Sequence, residues 1–185
     1  MSLILASASP RRRELLTLIT PDFTVIPAQG EEKADASLPP HILVQRLAEQ
    51  KAAEIAASHP ADVVVGADTL VFSGAEIMGK PTDAADAKRM LTLLSGNTHT
   101  VITAAAIAQN GAVTKVFAEE TKVEFFPLTD EEIAAYIATG EPMDKAGAYG
   151  IQDKGALLIK GITGDYYNVM GLPVGRLYRE LHRLL

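Results

Sequence analysis

Residues 99–126 read HTVITAAAIAQNGAVTKVFAEETKVEFF, two long strand-like runs separated only by Asn110-Gly111. An Asn-Gly pair supplies the positive φ angles that a two-residue hairpin turn demands, which makes it the strongest short hairpin signal a sequence offers. The middle of the chain is thereby committed to antiparallel strands, and a purely parallel sheet is excluded.

Around this hairpin, strand patterns alternate with helical ones. SLILAS is a short buried-strand pattern leading straight into a helix that starts at Pro10, so Ser7 to Pro10 form a strand-to-helix turn with Ser9 as N-cap. After a polar segment from Pro27 to Pro40, HILVQRLAEQKAAEIAAS is strongly helical and stops before Pro60. DVVVGADTLVF reads as a buried strand running into a turn at Ser73-Gly74. TDAADAKRMLTLLSG gives a helix with acids in its first turn and Gly96 just past its end, and Thr129 and Glu132 form a capping box ahead of EEIAAYIATG. A glycine-rich loop, DKAGAYGIQDKG, then precedes an expected final strand pair and a C-terminal helix, LPVGRLYRELHRLL. The sum is an α/β fold with a mixed, twisted sheet flanked by helices, expected as a single domain over residues 1–185.

Composition narrows the function. With 48% hydrophobic and 22% charged residues, the chain suits a compact soluble domain. A net charge of -6 and a pI near 5.2 argue against nucleic-acid and membrane-surface partners, both of which need a basic face. There is no cysteine, which removes disulfides and thiol catalysis. LILA is too short for a signal peptide and no run is long enough for a membrane span, so a cytoplasmic protein is expected.

Against that acidic background, Arg11, Arg12 and Arg13 fall in the first turn of the Pro10 helix. A helix N-terminus repels each cation by roughly 0.3 to 1 kcal/mol. Either this is a solvated basic turn paired with local acids, or Ser7, Ser9, the arginines and the turn's N–H groups converge on an anion such as phosphate. Asp68 is an acid inside the buried pattern VVVGADTLVF, which makes it either a turn cap at the strand's end or a metal ligand or water-activating base, with Thr69 beside it as a hydrogen-bonding group. Lys51 lies on the helical stripe Leu43, Leu47, Ile55, either snorkelling out or reaching into a cleft. Lys80 belongs to GAEIMGKP, which matches a phosphate-binding GxxxxGK loop but places Pro81 where Ser or Thr is required, so that reading is rejected. A plain surface turn and a phosphate contact both remain open for Lys80. In AGAYGIQDKG, three glycines allow close approach of a ligand, Tyr149 is available to pack, and Gln152 offers a donor and an acceptor to a base edge. The four histidines are scattered without ligand spacing, so no zinc site is inferred.

The blocks LASASPRRRELL, GADTLV, GKP, LSGNTHTVITA, DKAGAYGIQ and YYNVMGLP, in this order, resemble the Maf-like nucleoside triphosphate pyrophosphatases over essentially the whole chain. The resemblance implies a fold related to inosine triphosphate pyrophosphatases, two lobes around a deep cleft, and a homodimer. It also implies hydrolysis of a nucleoside triphosphate to the monophosphate and pyrophosphate with a divalent metal, magnesium or manganese. By the same resemblance Asp68 is the proton acceptor and a metal ligand, Ser7, Arg11, Lys51 and Lys80 belong to the phosphate-binding set, and Glu31 is a second metal ligand. Arg12, Thr69 and Gln152 occupy the positions that divide substrates, and this triplet is similar to that of the subgroup acting on dTTP and UTP. Removal of non-standard nucleotides is a further role in keeping with it. Two competing readings are a nucleotide-binding regulator of cell division or septum formation without essential catalysis, and a nucleic-acid binder using the arginine helix.

Overall fold

The computed structural model describes residues 2–30, 35 and 37–183. Glu31, expected as a metal ligand, lies outside the described residues.

In chain order the elements are β1 (Leu3–Leu5), α1 (Pro10–Thr17), β2 (Thr24–Val25), α2 (Pro40–Ser58), β3 (Val63–Ser73), β4 (Glu76–Met78), α3 (Ala84–Leu94), β5 (Thr98–Gln109), β6 (Ala112–Phe125), α4 (Asp130–Ala138), β7 (Ile159–Thr163), α5 (Tyr166–Met170) and α6 (Val174–His182), with three short 3-10 turns between α4 and β7. The mixed sheet has the order β2-β1-β3-β5-β6-β7, with β4 on β3. β5 and β6 form the expected hairpin, and Asn110 and Gly111 take φ of 53° and 76°. The expected final strand pair is corrected. Only Ile159–Thr163 is extended, while the 3-10 turn Asp153–Leu158 precedes it and Tyr166–Met170 is a short helix. Asn168 accounts for this: buried in α5, it donates to Val101 O at 3.1 Å and Thr121 Oγ1 at 3.0 Å, side-chain bonds that hold the segment without a strand ladder.

The chain divides into two compact units. The first comprises Met1–Asp68, Thr103–Glu119 and Gly171–Leu185. In it β1 runs parallel to β2 and to β3, in register Leu3↔Val63, Ile4↔Val64 and Leu5↔Val65. α2 buries Leu43, Val44, Leu47, Ala48, Ala52, Ile55 and Ala56, the stripe a 3.6-residue period places on one face. This face approaches β3 closely. A Cβ on Gly66 would sit 2.5 Å from Ala48 O and 2.6 Å from Ala52 N, so only glycine permits the contact.

The second unit comprises Thr69–Ile102 and Glu120–Met170. Here β4 is antiparallel to β3 and β7 antiparallel to β6. α3 buries Ala87, Met90, Leu91 and Leu94 at the i, i+3, i+4, i+7 positions of an amphipathic helix, with Asp83 capping its start by accepting from Asp86 N at 2.8 Å. Thr129 and Glu132 form the expected reciprocal capping box on α4. The core joins Val71, Met78, Leu91, Val123, Phe125, Ile133, Tyr136 and Tyr149.

Candidate active site

The first unit explains two oddities of the sequence with one contact. Lys51 Nζ donates to Asp68 Oδ1 at 2.5 Å, and the two side chains are 16% and 11% exposed. Asp68 lies inside β3, five residues before its end, so it is not a turn cap at the strand terminus; Lys51 stabilises its buried charge instead. The glycine at 66 makes this possible, because it draws α2 onto the strand two residues before Asp68 and brings Lys51 within reach.

Ser7 and Asp68 both lie just past the ladder that pairs β1 with β3. Ala6 N donates to Val65 O at 2.8 Å, after which β1 ends and Ser7 opens the turn into α1, while β3 continues through Gly66 and Ala67 to Asp68. The carboxyl ends of parallel strands, beside a helix N-terminus, are where open α/β sheets bind ligands. Ser9 caps α1 by accepting from Arg12 N at 3.4 Å, with no acid in the first turn. Ser7 Oγ accepts from Ser9 N at 3.2 Å and from Arg12 Nη1 at 3.3 Å, so the hydroxyl hydrogen is the donor it has left to offer an anion. Arg12 is fixed at its other edge by Nε donating to Gly171 O at 2.8 Å. Arg11, one residue earlier, is half-buried. The first unit thus holds a Ser7–Arg12 pair and a Lys51–Asp68 pair.

Thr69, Lys80 and Gln152 belong to the second unit. Lys80 is exposed and follows β4, and the GxxxxGK match spans a turn at Gly74 and a strand instead of leading from a strand into a helix, so it forms no phosphate loop. The turn is nevertheless tied to the glycine-rich segment, because Gly147 N donates to Gly79 O at 3.1 Å. Gln152 is half-buried at the head of the 3-10 turn Asp153–Leu158.

A buried pair in this unit was not singled out by the sequence. His99 is 2% exposed, and its Nε2 lies 2.7 Å from Tyr149 Oη. Its ring packs edge-on against Phe125 and Tyr149, whose rings pack edge-on against each other. Burial pushes the imidazole down to about 4 and the Tyr149 hydroxyl upward, so the pair is neutral. The other ring nitrogen, Nδ1, is buried and meets no hydrogen-bond partner among the described residues. The available signal was the alternation His99, Val101, Thr103, which puts His99 on an inward face of β5.

Among the described residues no three His, Asp or Glu side chains group to hold a metal ion. Asp68 fits a hard divalent cation in another way. Only its Oδ1 is engaged by Lys51, and such ions are commonly held by one or two carboxylates with the remaining positions taken by substrate phosphates and water.

This fold and this buried acid–lysine pair sit in a chain that belongs to the Maf-like protein family, which it matches over residues 2–184. It is 53% identical over 178 residues to the dTTP/UTP pyrophosphatase of Bacillus cytotoxicus, covering 96% of this chain and 93% of the relative. It is 52% identical over 179 residues to the dTTP/UTP pyrophosphatase of Bacillus velezensis, covering 97% and 94%. The fold is similar to that of the Staphylococcus aureus Ham1 protein, with a TM-score of 0.57, 14% identity and full coverage of both chains. A HAM1 protein from Coxiella burnetii gives a TM-score of 0.57 at 15% identity over 98% of each chain. No helix among the described residues is long and apolar enough to cross a membrane.

Proposed function

We propose that the chain is a nucleoside triphosphate pyrophosphatase that hydrolyses dTTP and UTP to the nucleoside monophosphate and pyrophosphate. The observation that carries the mechanism is the mostly buried Lys51–Asp68 pair, with Asp68 on the strand that runs parallel to β1. The substrate class is supported by relatives more than 50% identical that are dTTP/UTP pyrophosphatases. A regulator without catalysis is not favoured.

Phosphoryl chemistry asks a protein mainly for positioning and charge stabilisation. In the proposed mechanism Asp68 accepts a proton from, or orients, the water that attacks at the α/β linkage, and Lys51 fixes the carboxylate while offering its charge to the phosphates. The Ser7 hydroxyl, Arg11 and Lys80 bind phosphate oxygens and stabilise the charge that passes to the departing pyrophosphate. This answers the electrostatic question of α1, whose arginines and N-terminal dipole share an anionic partner. Asp68, with Glu31, would hold a divalent cation, magnesium or manganese, which when bound neutralises phosphate charge. Arg12, Thr69 and Gln152 read the base and its surroundings. A homodimer forms part of the same proposal.

The test is pyrophosphate release from dTTP, UTP, CTP, dCTP, GTP, 7-methyl-GTP and ITP with magnesium. Selective turnover of dTTP and UTP is expected. Turnover of a different base would discard the roles of Arg12, Thr69 and Gln152, and no turnover with any nucleotide would reinstate the binding-only regulator. Lys80→Ala should lower kcat/KM for dTTP at least about tenfold, about 1.4 kcal/mol. An unchanged value would remove Lys80 from the phosphate set.

A further inference from the structure

Gln152 sits in a segment flanked by non-glycine residues in the left-handed region. Gly147 has φ of 73°, and two residues that are not glycine also take positive φ: Ala148 at 59° and Asp153 at 51°. Conformations of this kind persist only where the surroundings over-determine them, and they gather at ligand-binding segments.

The surroundings here are specific. Tyr136, reaching from α4, accepts the Gly150 N–H on its hydroxyl at 3.1 Å. Gly155 is pressed onto the same spot, since a Cβ there would lie 2.0 Å from Gly150 O and 2.7 Å from Tyr136 Oη. Tyr149, one residue earlier, is held by His99 through its hydroxyl at 2.7 Å and through ring packing. Lys145 lies over Gly150 and donates to Glu141 O and Asp144 Oδ1, both at 2.7 Å. Two phenol hydroxyls therefore hold consecutive residues of the loop.

We propose that Tyr136 and the His99–Tyr149 pair are positioning residues for base binding, holding Tyr149 and Gly150 so that Gln152, two residues further on, is presented to the nucleotide base in one place. This rests on the base-reading role of Gln152 proposed above. Loss of the Tyr136 hydroxyl has its effect on the ligand through Gln152, and so has none once Gln152 is gone.

A double-mutant cycle on equilibrium binding tests this, with the non-hydrolysable α,β-methylene analogue of dTTP as the probe. Tyr136→Phe and Gln152→Ala should each raise the Kd about tenfold, and the double variant should bind no more weakly than about tenfold below wild type. Thermal unfolding, in contrast, should fall by the same amount when Tyr136→Phe is made on either background. Wild-type affinity in Tyr136→Phe, or effects that multiply to about a hundredfold in the double variant, would overturn the proposal. An unchanged Kd in Gln152→Ala would overturn the Gln152 reading itself and the positioning with it, an outcome recognisable because it is read on Gln152 alone. Tyr149→Phe, which releases the loop from His99, runs the same cycle independently and decides the matter should Tyr136→Phe fail to fold. Because binding of the analogue needs no turnover, failure of the hydrolytic reading shows separately, in wild-type pyrophosphate release from dTTP.

Discussion

Both units of the molecule bury a polar pair, and they hold it in opposite charge states. In the first unit an ammonium meets a carboxylate at 2.5 Å, with each side chain keeping a little exposure. In the second an imidazole meets a phenol at 2.7 Å, at 2% and 5% exposure, and burial drives both to their neutral forms. A buried charge is tolerable when an opposite charge compensates it, and the compensation is seldom complete. A neutral hydrogen-bonded pair avoids that desolvation and gives rigidity instead. On the proposed mechanism, charge is kept where a triphosphate and a water molecule are handled, and is absent where the shape of a loop is held.

The largest effect should come from breaking the charged pair at its acid. Asp68→Asn preserves shape and one acceptor oxygen but removes the proposed base, and kcat should fall by about 10²–10⁴-fold. Nucleotide binding should stay within about tenfold, about 1.4 kcal/mol. Pre-steady-state pyrophosphate release and a parallel binding titration separate the two, and normal turnover in this variant would take Asp68 out of the reaction. Next in size is stability. Lys51→Met leaves the Asp68 carboxylate in a mostly buried place without its cation, which should destabilise the fold by about 3 kcal/mol in urea unfolding. Adding Asp68→Leu should recover much of that loss while leaving the protein inactive. A double variant as unstable as the single would mean that the pair holds the fold together and is not retained chiefly for chemistry.

The two pairs were unequally legible in the sequence. Asp68 and Lys51 each broke a local pattern, an acid in a buried strand and a lysine on an apolar stripe, so each was visible as an anomaly. That they are partners was not, because it depends on how closely α2 packs on Gly66, a tertiary distance that no periodicity encodes. His99 broke no pattern. A histidine in an alternating strand is unremarkable until the tyrosine fifty residues later is known to lie against it. The local signals with a backbone mechanism all carried through, among them the N-cap at Ser9, the Asn110-Gly111 turn and the Thr129–Glu132 capping box. The expected final strand pair is replaced by one strand and a short helix because buried side-chain bonds from Asn168 decide the conformation.

The smallest predicted effect concerns the neutral pair and is read by pH. His99 has its imidazole pushed from 6.5 down to about 4 by burial. Between those values the unfolded chain binds a proton that the folded chain refuses, so stability rises with pH across the window and is lost as the solution is acidified through it. Above about 6.5 the contribution is fully present. By about pH 5 it should have fallen by about 2 kcal/mol, at 1.36 kcal/mol for each pH unit. Urea unfolding of wild type and His99→Leu at matched ionic strength isolates this slope from the carboxylates, which both proteins share. The wild type should lose stability faster than the variant from about pH 6.5 to 5, and the curves should run parallel above that range. Equal slopes would mean that the imidazole accepts a proton in the folded state, and the contrast between a charged pair for chemistry and a neutral pair for shape would then collapse.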